Sequence, residues 1–468
     1  MKKIKRIQLM ICLALVIFCT FTFTSCSFNQ ATVTSVEKVF SENGESLYKI
    51  TYSDGTESVV EVKDGGKKVV ESTITVDDLY DKYIELNPDG TFEDFAKNYL
   101  TVATDNSTVI NKTVASSIKI YAEFTEKTSV FPYGGVQMNK AVISGSGVVF
   151  KIDADYVYFI TNYHVLYNKN ATTKISDTIH CYVYGSEGSP VDSKKKDLNG
   201  LPVYDYGDYA IECEYVGGSI ATDIAIIKAK ISDVLLINDK VRAIEFADGY
   251  YIGETAIAIG NSEDEGISVT EGIVSVDNEY IKLQIDSQSR SYRALRIDTA
   301  IYSGNSGGGL FNKEGKLIGI TNAGDQEDQN VNFAIPVDIV KSVVDSIMYY
   351  SAQGTVAKKA VIGVTVNSVN SKYVYDASVG YGRIIEEVIV TSVTKDGVVN
   401  SLGVGVGDEI VSVIVNSKEK VIDRYFEIGD LLYTVKSGDT IKFTIKHNGE
   451  IKETSVYEIK ESDLEDVS

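Results

Sequence analysis

Ser306 lies at the centre of Ser303-Gly-Asn-Ser-Gly-Gly-Gly309, where four of seven residues are glycine and apolar, strand-like residues flank both sides. Glycine permits positive φ and lets other backbone come close. A serine in such a turn presents an accessible Oγ beside N–H groups that can converge on one spot. Nucleophilic acyl transfer needs those two things. It also needs a base, and the base needs a group to orient it. The chain has only three histidines, His164, His180 and His447. His180 falls inside the alternating run IHCYVYG, and His447 in the turn Lys446-His-Asn-Gly449. His164 stands where an apolar strand runs into a short polar turn, Tyr158-Phe-Ile-Thr-Asn-Tyr-His164. One acid, Asp223, sits at the mouth of the apolar run Ile224–Lys228. Taken alone, the serine turn reads equally well as a glycine-rich hairpin. The ordered set His164, Asp223, Ser306 is what points to a nucleophile, its base and an orienter.

Such a set needs a rigid frame, and composition says of what kind. Tyrosine is abundant at 30, tryptophan is absent and there are only 5 prolines. Many short β-branched and tyrosine-rich runs argue for mostly β structure. SSIKIYAEF reads as a first strand and Val142–Lys151 as a second, with Gly145-Ser-Gly147 as a tight turn. Residues 186–208 lack periodicity and read as a long surface loop. Short strands continue to Ala334. Pro336–Tyr350 then has Ile339, Val340, Val343, Val344 and Ile347 at helical spacing, with Gly354 suited to the end.

The order His, Asp, Ser is that of the two-barrel serine proteases. TNYHVL, TDIAIIK and GNSGGGL resemble the three catalytic boxes of the HtrA/Deg type trypsin-like serine proteases. Ala258-Ile-Gly-Asn261, Val269-Thr-Glu-Gly-Ile-Val-Ser275 and Asn332-Phe-Ala-Ile-Pro336 resemble further landmarks of that family in the same order. The resemblance spans roughly residues 110–460. Gly309 departs from it, since the family usually has proline or alanine there. The resemblance implies a chymotrypsin-like double β-barrel protease at 108–354, followed by a PDZ domain at 358–460. It implies Ser306 as nucleophile, His164 as base and Asp223 as orienter, with an oxyanion hole at Gly304, Asn305 and Ser306. It places S1 walls at Thr299, Ala300 and Ile301 and at Ile320, Thr321, Asn322 and Ala323. None of these is charged, which suggests small or medium apolar side chains at P1. It places the PDZ peptide loop at Val361, Ile362, Gly363 and Val364, taking apolar C-terminal peptides by strand addition. Substrates would be unfolded or misfolded exported proteins, and the family is often trimeric. The alternative is a surface peptide-binding lipoprotein whose protease domain is dormant.

The N-terminus fits export. Lys2, Lys3, Lys5 and Arg6 precede a largely apolar run, and Phe23-Thr-Ser-Cys26 follows. This pattern reads as a signal peptide over residues 1–26. The last four residues resemble a bacterial lipobox, which would make Cys26 a lipid-bearing N-terminus anchored on the outer face of the cytoplasmic membrane. The formal net charge of −21 argues against nucleic acid and anionic lipid surfaces as partners. Cys181 and Cys213 lie in strand-like runs that could neighbour each other, as a disulfide or as two buried thiols. No His/Cys spacing suggests a metal, and no cofactor is expected. Residues 27–75 read as a small β unit and 76–107 as a helical hairpin and linker, the linker starting near 104. Thr91-Phe-Glu-Asp94 opens the second helix as a capping box. The intervening acidic loop lacks the spacing of a calcium loop. Within 358–460, Asp423–Val435 reads as one helix. The tail 461–468 is acidic and reads as disordered.

Overall fold

The computed structural model describes residues 33–42, 45–52, 57–63, 76–88, 90–92, 95, 106–130, 135–286, 288–324, 328, 330–376 and 381–467. The expected signal peptide and Cys26 lie outside them. The chain divides into two compact units, Met1–Ala103 and Thr104–Ser468. In the first, β1 (Val33–Glu42), β2 (Glu45–Tyr52) and β3 (Glu57–Lys63) form an antiparallel sheet in sequence order. A helix follows at Val76–Leu86. Most of the expected second helix lies outside the described residues.

The second unit opens on a helix, Asn106–Thr113, where the sequence suggested a linker. Its polar length hides an apolar contact: Val109 is buried in the core shared by the two barrels described next, and Ile110 packs against it. Six strands then close a first barrel: β4 (Ser117–Val130), β5 (Gly135–Ile152), β6 (Tyr156–Thr161), β7 (Thr178–Val183), β10 (Ile211–Ser219) and β11 (Ile224–Lys230). The stretch 186–208 is not a plain loop, because β8 (Val191–Lys196) and β9 (Pro202–Asp205) form a hairpin within it. Nor is Gly145-Ser-Gly147 a turn. It lies inside β5, in register with Lys119, Ile118 and Ile120 of β4. Glycine is required there by packing: a Cβ at Gly145 would sit 2.7 Å from Val165, and one at Gly147 2.9 Å from Ile120.

The second barrel contains β13 (Thr255–Asn261), β14 (Ile267–Leu283), β15 (Arg290–Ile297), β16 (Gly309–Phe311), β17 (Lys316–Gly324) and β18 (Asn332–Pro336). Pairing of β17 with β18 closes it, and β12 (Glu245–Phe246) adds parallel to β17. The molecule is thus mostly β with a chymotrypsin-like double barrel. One core joins the barrels: Val148, Ile160 and Ile226 from the first meet Ile257, Phe311 and Ile320 from the second. The helix Val337–Ser351 caps this seam with Ile339, Val340, Val343, Val344 and Ile347, as its spacing predicts.

A C-terminal module with its own core follows. Its sheet runs β20 (Val364–Asp376), β21 (Tyr381–Val393), β22 (Glu409–Val415), β24 (Thr440–His447) and β25 (Glu450–Glu453), leaving β20 at the edge. In β24 the alternation is plain: Ile441, Phe443 and Ile445 are buried while Lys442, Thr444 and Lys446 are not. The expected helix Asp423–Val435 is shorter, at Phe426–Leu431. The acidic tail is not disordered, since Leu464–Asp466 (β27) pairs with Lys358–Ala360 (β19) and Val467 is buried. Its charge pattern gave no sign of this, because the pairing is made by backbone. Cys181 and Cys213 are free buried thiols in neighbouring strands, opposite Ile211 and Ile179 respectively.

Candidate active site

Sequence brings His164 and Asp223 together through one strand pair. β6 and β11 are antiparallel, with Thr161 opposite Ala225. The chain leaving β6 enters the helical turn Tyr163–Leu166, just as the chain entering β11 passes Asp223. Asp223 is fully buried and has φ +58°, an uncommon conformation for a residue with a side chain. The main chain holds it there: its carbonyl accepts Tyr163 N–H at 3.1 Å and Asn162 Nδ2 at 2.9 Å. Its Oδ1 accepts His164 N–H at 2.9 Å and its Oδ2 meets His164 Nδ1 at 2.7 Å. A carboxylate facing Nδ1 fixes the proton on that nitrogen and leaves Nε2 as the base. Burial pulls the His164 pKa down, but the charge and hydrogen bond of Asp223 outweigh it, so the imidazole titrates above its ordinary 6.5. The other histidines are engaged elsewhere. His180 stacks on Tyr206 at 3.9 Å, and His447 Nδ1 meets Asp408 at 2.5 Å.

Ser306 stands on a turn between β15 and β16. Gly304 and Gly307 have φ +91° and +88°. A Cβ at Gly304 would overlap the Asn261 carbonyl, and one at Gly307 the Ser146 carbonyl. The turn is tied down by Gly308 N–H to Asn305 O (2.9 Å), Gly307 N–H to Thr321 O (2.9 Å) and Thr321 Oγ1 to Asn305 O (2.6 Å). The Ser303 carbonyl accepts Glu263 N–H at 2.7 Å. In a trans peptide the next N–H points the opposite way, so Gly304 N–H faces away from Glu263. Ser306 Oγ donates to the Asn322 carbonyl at 3.0 Å. Asn322 Nδ2 in turn donates to Asp223 Oδ2 at 2.6 Å.

A buried acid on an imidazole, with a serine in a glycine turn beside them on a double barrel, is the arrangement of one enzyme class. Residues 145–320 match the family model of the trypsin-like peptidase domain. That stretch is similar to a trypsin-like peptidase domain, and the relatives the chain matches are HtrA proteases. It is 29% identical over 318 residues to the serine protease Do-like HtrA of Bacillus subtilis (strain 168), covering 65% of this chain and 61% of that protein. It is 27% identical over 356 residues to the serine protease HtrA-like protein of Staphylococcus aureus (strain USA300), covering 74% of this chain but 41% of that one. The chain thus matches less than two thirds of either relative's length. Among solved structures, an HtrA-type protease AlgW with decapeptide aligns at 21% identity and TM-score 0.46, over 76% of this chain and 98% of that one.

Within the second barrel, Thr299, Ile320, Thr321 and Asn322 of the expected S1 walls are spent on packing and hydrogen bonds. Ile320 is wholly buried in the inter-barrel core. Thr299 is buried and spends its hydroxyl on the Ala256 carbonyl at 3.0 Å. Thr321 ties the serine turn, and Asn322 links that turn to Asp223 through its carbonyl and its Nδ2. Ala300 keeps its carbonyl on Thr270 Oγ1 at 2.8 Å, and Ile301 packs against the second-barrel core. Ala323 sits in β17 opposite Phe333. Two contributors were missed, Asn322 as a partner of Asp223 and Ser146 as a neighbour of the serine turn. Ser146 lies between two glycines and Asn322 between Thr321 and Ala323, so the local sequence carries no signal that marks either.

Val361, Ile362, Gly363 and Val364 line a cavity of about 640 Å³ between the C-terminal module and the second barrel, with Ile428 and Leu432 on one side and Tyr280, Tyr292 and Arg293 on the other. Gly363 has φ +73°. Val361 N–H is already taken by the Asp463 carbonyl at 2.7 Å.

Proposed function

We propose that this protein is a serine endopeptidase of unfolded or misfolded exported proteins, with His164, Asp223 and Ser306 as its triad. The observation that carries the reading is the fully buried Asp223 carboxylate, which binds both the N–H and Nδ1 of His164. Ser306 Oγ turns from Asn322 to Nε2 of His164 when substrate enters, since such bonds often tighten only in the complex. Its proton passes to Nε2 as Oγ attacks the scissile carbonyl. The imidazolium is held by Asp223 and returns the proton to the leaving amine. Water then repeats the sequence on the acyl-enzyme. The main-chain N–H groups of Gly304 and Ser306 receive the oxyanion, with Asn305 between them holding the turn. The C-terminal module is read as a PDZ domain: β20 offers a free edge, and the cavity beside it suits the apolar end of a peptide added as a strand.

A fluorophosphonate probe should label wild-type protein at Ser306. Ser306→Ala should abolish labelling and lower casein hydrolysis by about 10⁴-fold or more with the fold intact. Wild-type rates in that variant would assign the chemistry to another nucleophile.

A further inference from the structure

Ser146 is wholly buried inside β5, away from the triad boxes in sequence, yet its backbone and hydroxyl reach the serine turn. Its Oγ donates to the Gly304 carbonyl at 2.7 Å and accepts Asn261 N–H at 2.7 Å. Its own N–H donates to the Ser306 carbonyl at 2.8 Å, and its carbonyl accepts Thr161 Oγ1 at 2.7 Å. Glu263 N–H holds the Ser303 carbonyl. The carbonyls on both sides of the Gly304 Cα are therefore fixed, one by Glu263 and the other by Ser146. A glycine has two soft torsions and little preference between positive and negative φ. Pinning both flanking peptide planes is what holds Gly304 at φ +91°, and with it the direction of its N–H.

The turn that supplies Glu263 is itself braced. Glu263 and Asp264 have φ +53° and +63°, conformations that persist only where the surroundings impose them. Tyr121 Oη donates to Asp264 Oδ1 at 2.5 Å, Asn261 Nδ2 donates to the same oxygen at 3.0 Å, and Lys119 Nζ donates to the Asp264 carbonyl at 3.2 Å. Gly260 leaves room for the Ser146 hydroxyl, since a Cβ there would lie 2.9 Å from Ser146 Oγ.

We propose that Ser146 is a positioning residue of the oxyanion hole, acting through Gly304, with the Tyr121–Asp264 pair bracing the opposite side. It rests on the endopeptidase reading above. Ser146 touches no reacting atom. Its loss frees the Gly304 peptide planes, so it weakens binding of the tetrahedral oxyanion and not of the uncharged substrate.

The test compares wild type, Ser146→Ala and Tyr121→Phe for kcat and KM on a peptide substrate, for the Kd of a peptide boronic acid, and for melting temperature. A boronate forms a tetrahedral adduct whose oxygen occupies the oxyanion hole. Ser146→Ala should lower kcat about 10- to 100-fold, somewhat less than loss of a donor itself. Its boronate affinity should fall by a similar factor, with KM and melting temperature little changed. Tyr121→Phe should show the same pattern with a smaller loss, and decides the matter if Ser146→Ala fails to fold. Unchanged kcat and boronate affinity in the folded variants, or a rise in KM matching the boronate loss, overturns the proposal. An inactive wild type would instead sink the endopeptidase reading.

Discussion

Asp223 does three things at once, and each follows from an atom. Its carbonyl anchors the turn after β6, its Oδ1 holds the His164 main chain, and its Oδ2 sets the His164 tautomer. In the proposed mechanism the neutral imidazole is the base, so activity should rise with pH through the His164 pKa and be lost below it. Burial lowers that pKa, but Asp223 raises it further, so the acid limb of kcat/KM should have its midpoint above the ordinary 6.5. Asp223→Asn removes the raising influence and leaves burial. The midpoint should then fall below 6.5, while kcat drops about 10⁴-fold because the wrong tautomer is favoured. A pH profile of the two proteins on one peptide substrate checks this. A limb that stays in place after the substitution would belong to another group.

Strands declared themselves where one face is buried, as the alternation of β24 and the apolar run of β11 show. The order of His164, Asp223 and Ser306 was also legible, because each sits at the end of such a strand. What escaped notice depends on partners distant in the chain. Gly145-Ser-Gly147 looks like a turn, and only the closeness of Val165, Ile118 and Ile120 explains why a mid-strand stretch needs glycine. The tail ESDLEDVS looks solvated, yet it is paired backbone to backbone and buries Val467. Val361 N–H bonds Asp463 O at 2.7 Å, Val467 N–H bonds Ala357 O at 3.0 Å, and Ala221 N–H bonds Val467 O at 3.4 Å. Ala221 is two residues from Asp223. Removing residues 464–468 should therefore cost about 2 kcal/mol or more, chiefly the burial of Val467 and its hydrogen bonds. Urea unfolding of the shortened chain measures it, and an unchanged midpoint would show that this strand adds nothing.

Among the described residues, three ion pairs join the C-terminal module to the second barrel and its helix. Arg424 meets Asp277 at 2.5 Å, Lys436 meets Asp345 at 2.7 Å, and Arg293 pairs with Asp430. The Lys436 pair is half in solvent and contributes little. The Arg293 pair is different. Its guanidinium is almost wholly buried, lies 4.1 Å from the Phe426 ring, bonds Tyr250 Oη at 2.8 Å and reaches a second carboxylate, Asp338, at 3.3 Å. One cation between two carboxylates leaves a negative charge in excess. Burial accordingly raises Asp430 to about 6 from an ordinary 3.8; Arg293 opposes the rise without cancelling it, and Asp338 adds to it. The joined state thus binds a proton at Asp430 more tightly than the separated or unfolded chain does. That contribution is fully present below about pH 4 and is lost as pH rises through about 6, a swing of up to about 3 kcal/mol. Asp430→Asn keeps the shape and removes the titrating group. Wild type should lose stability relative to this variant between pH 4 and pH 7, read as the difference in urea midpoint across that range. If the two curves stay parallel, the junction does not take up a proton at Asp430, and Arg293 fully compensates both carboxylates.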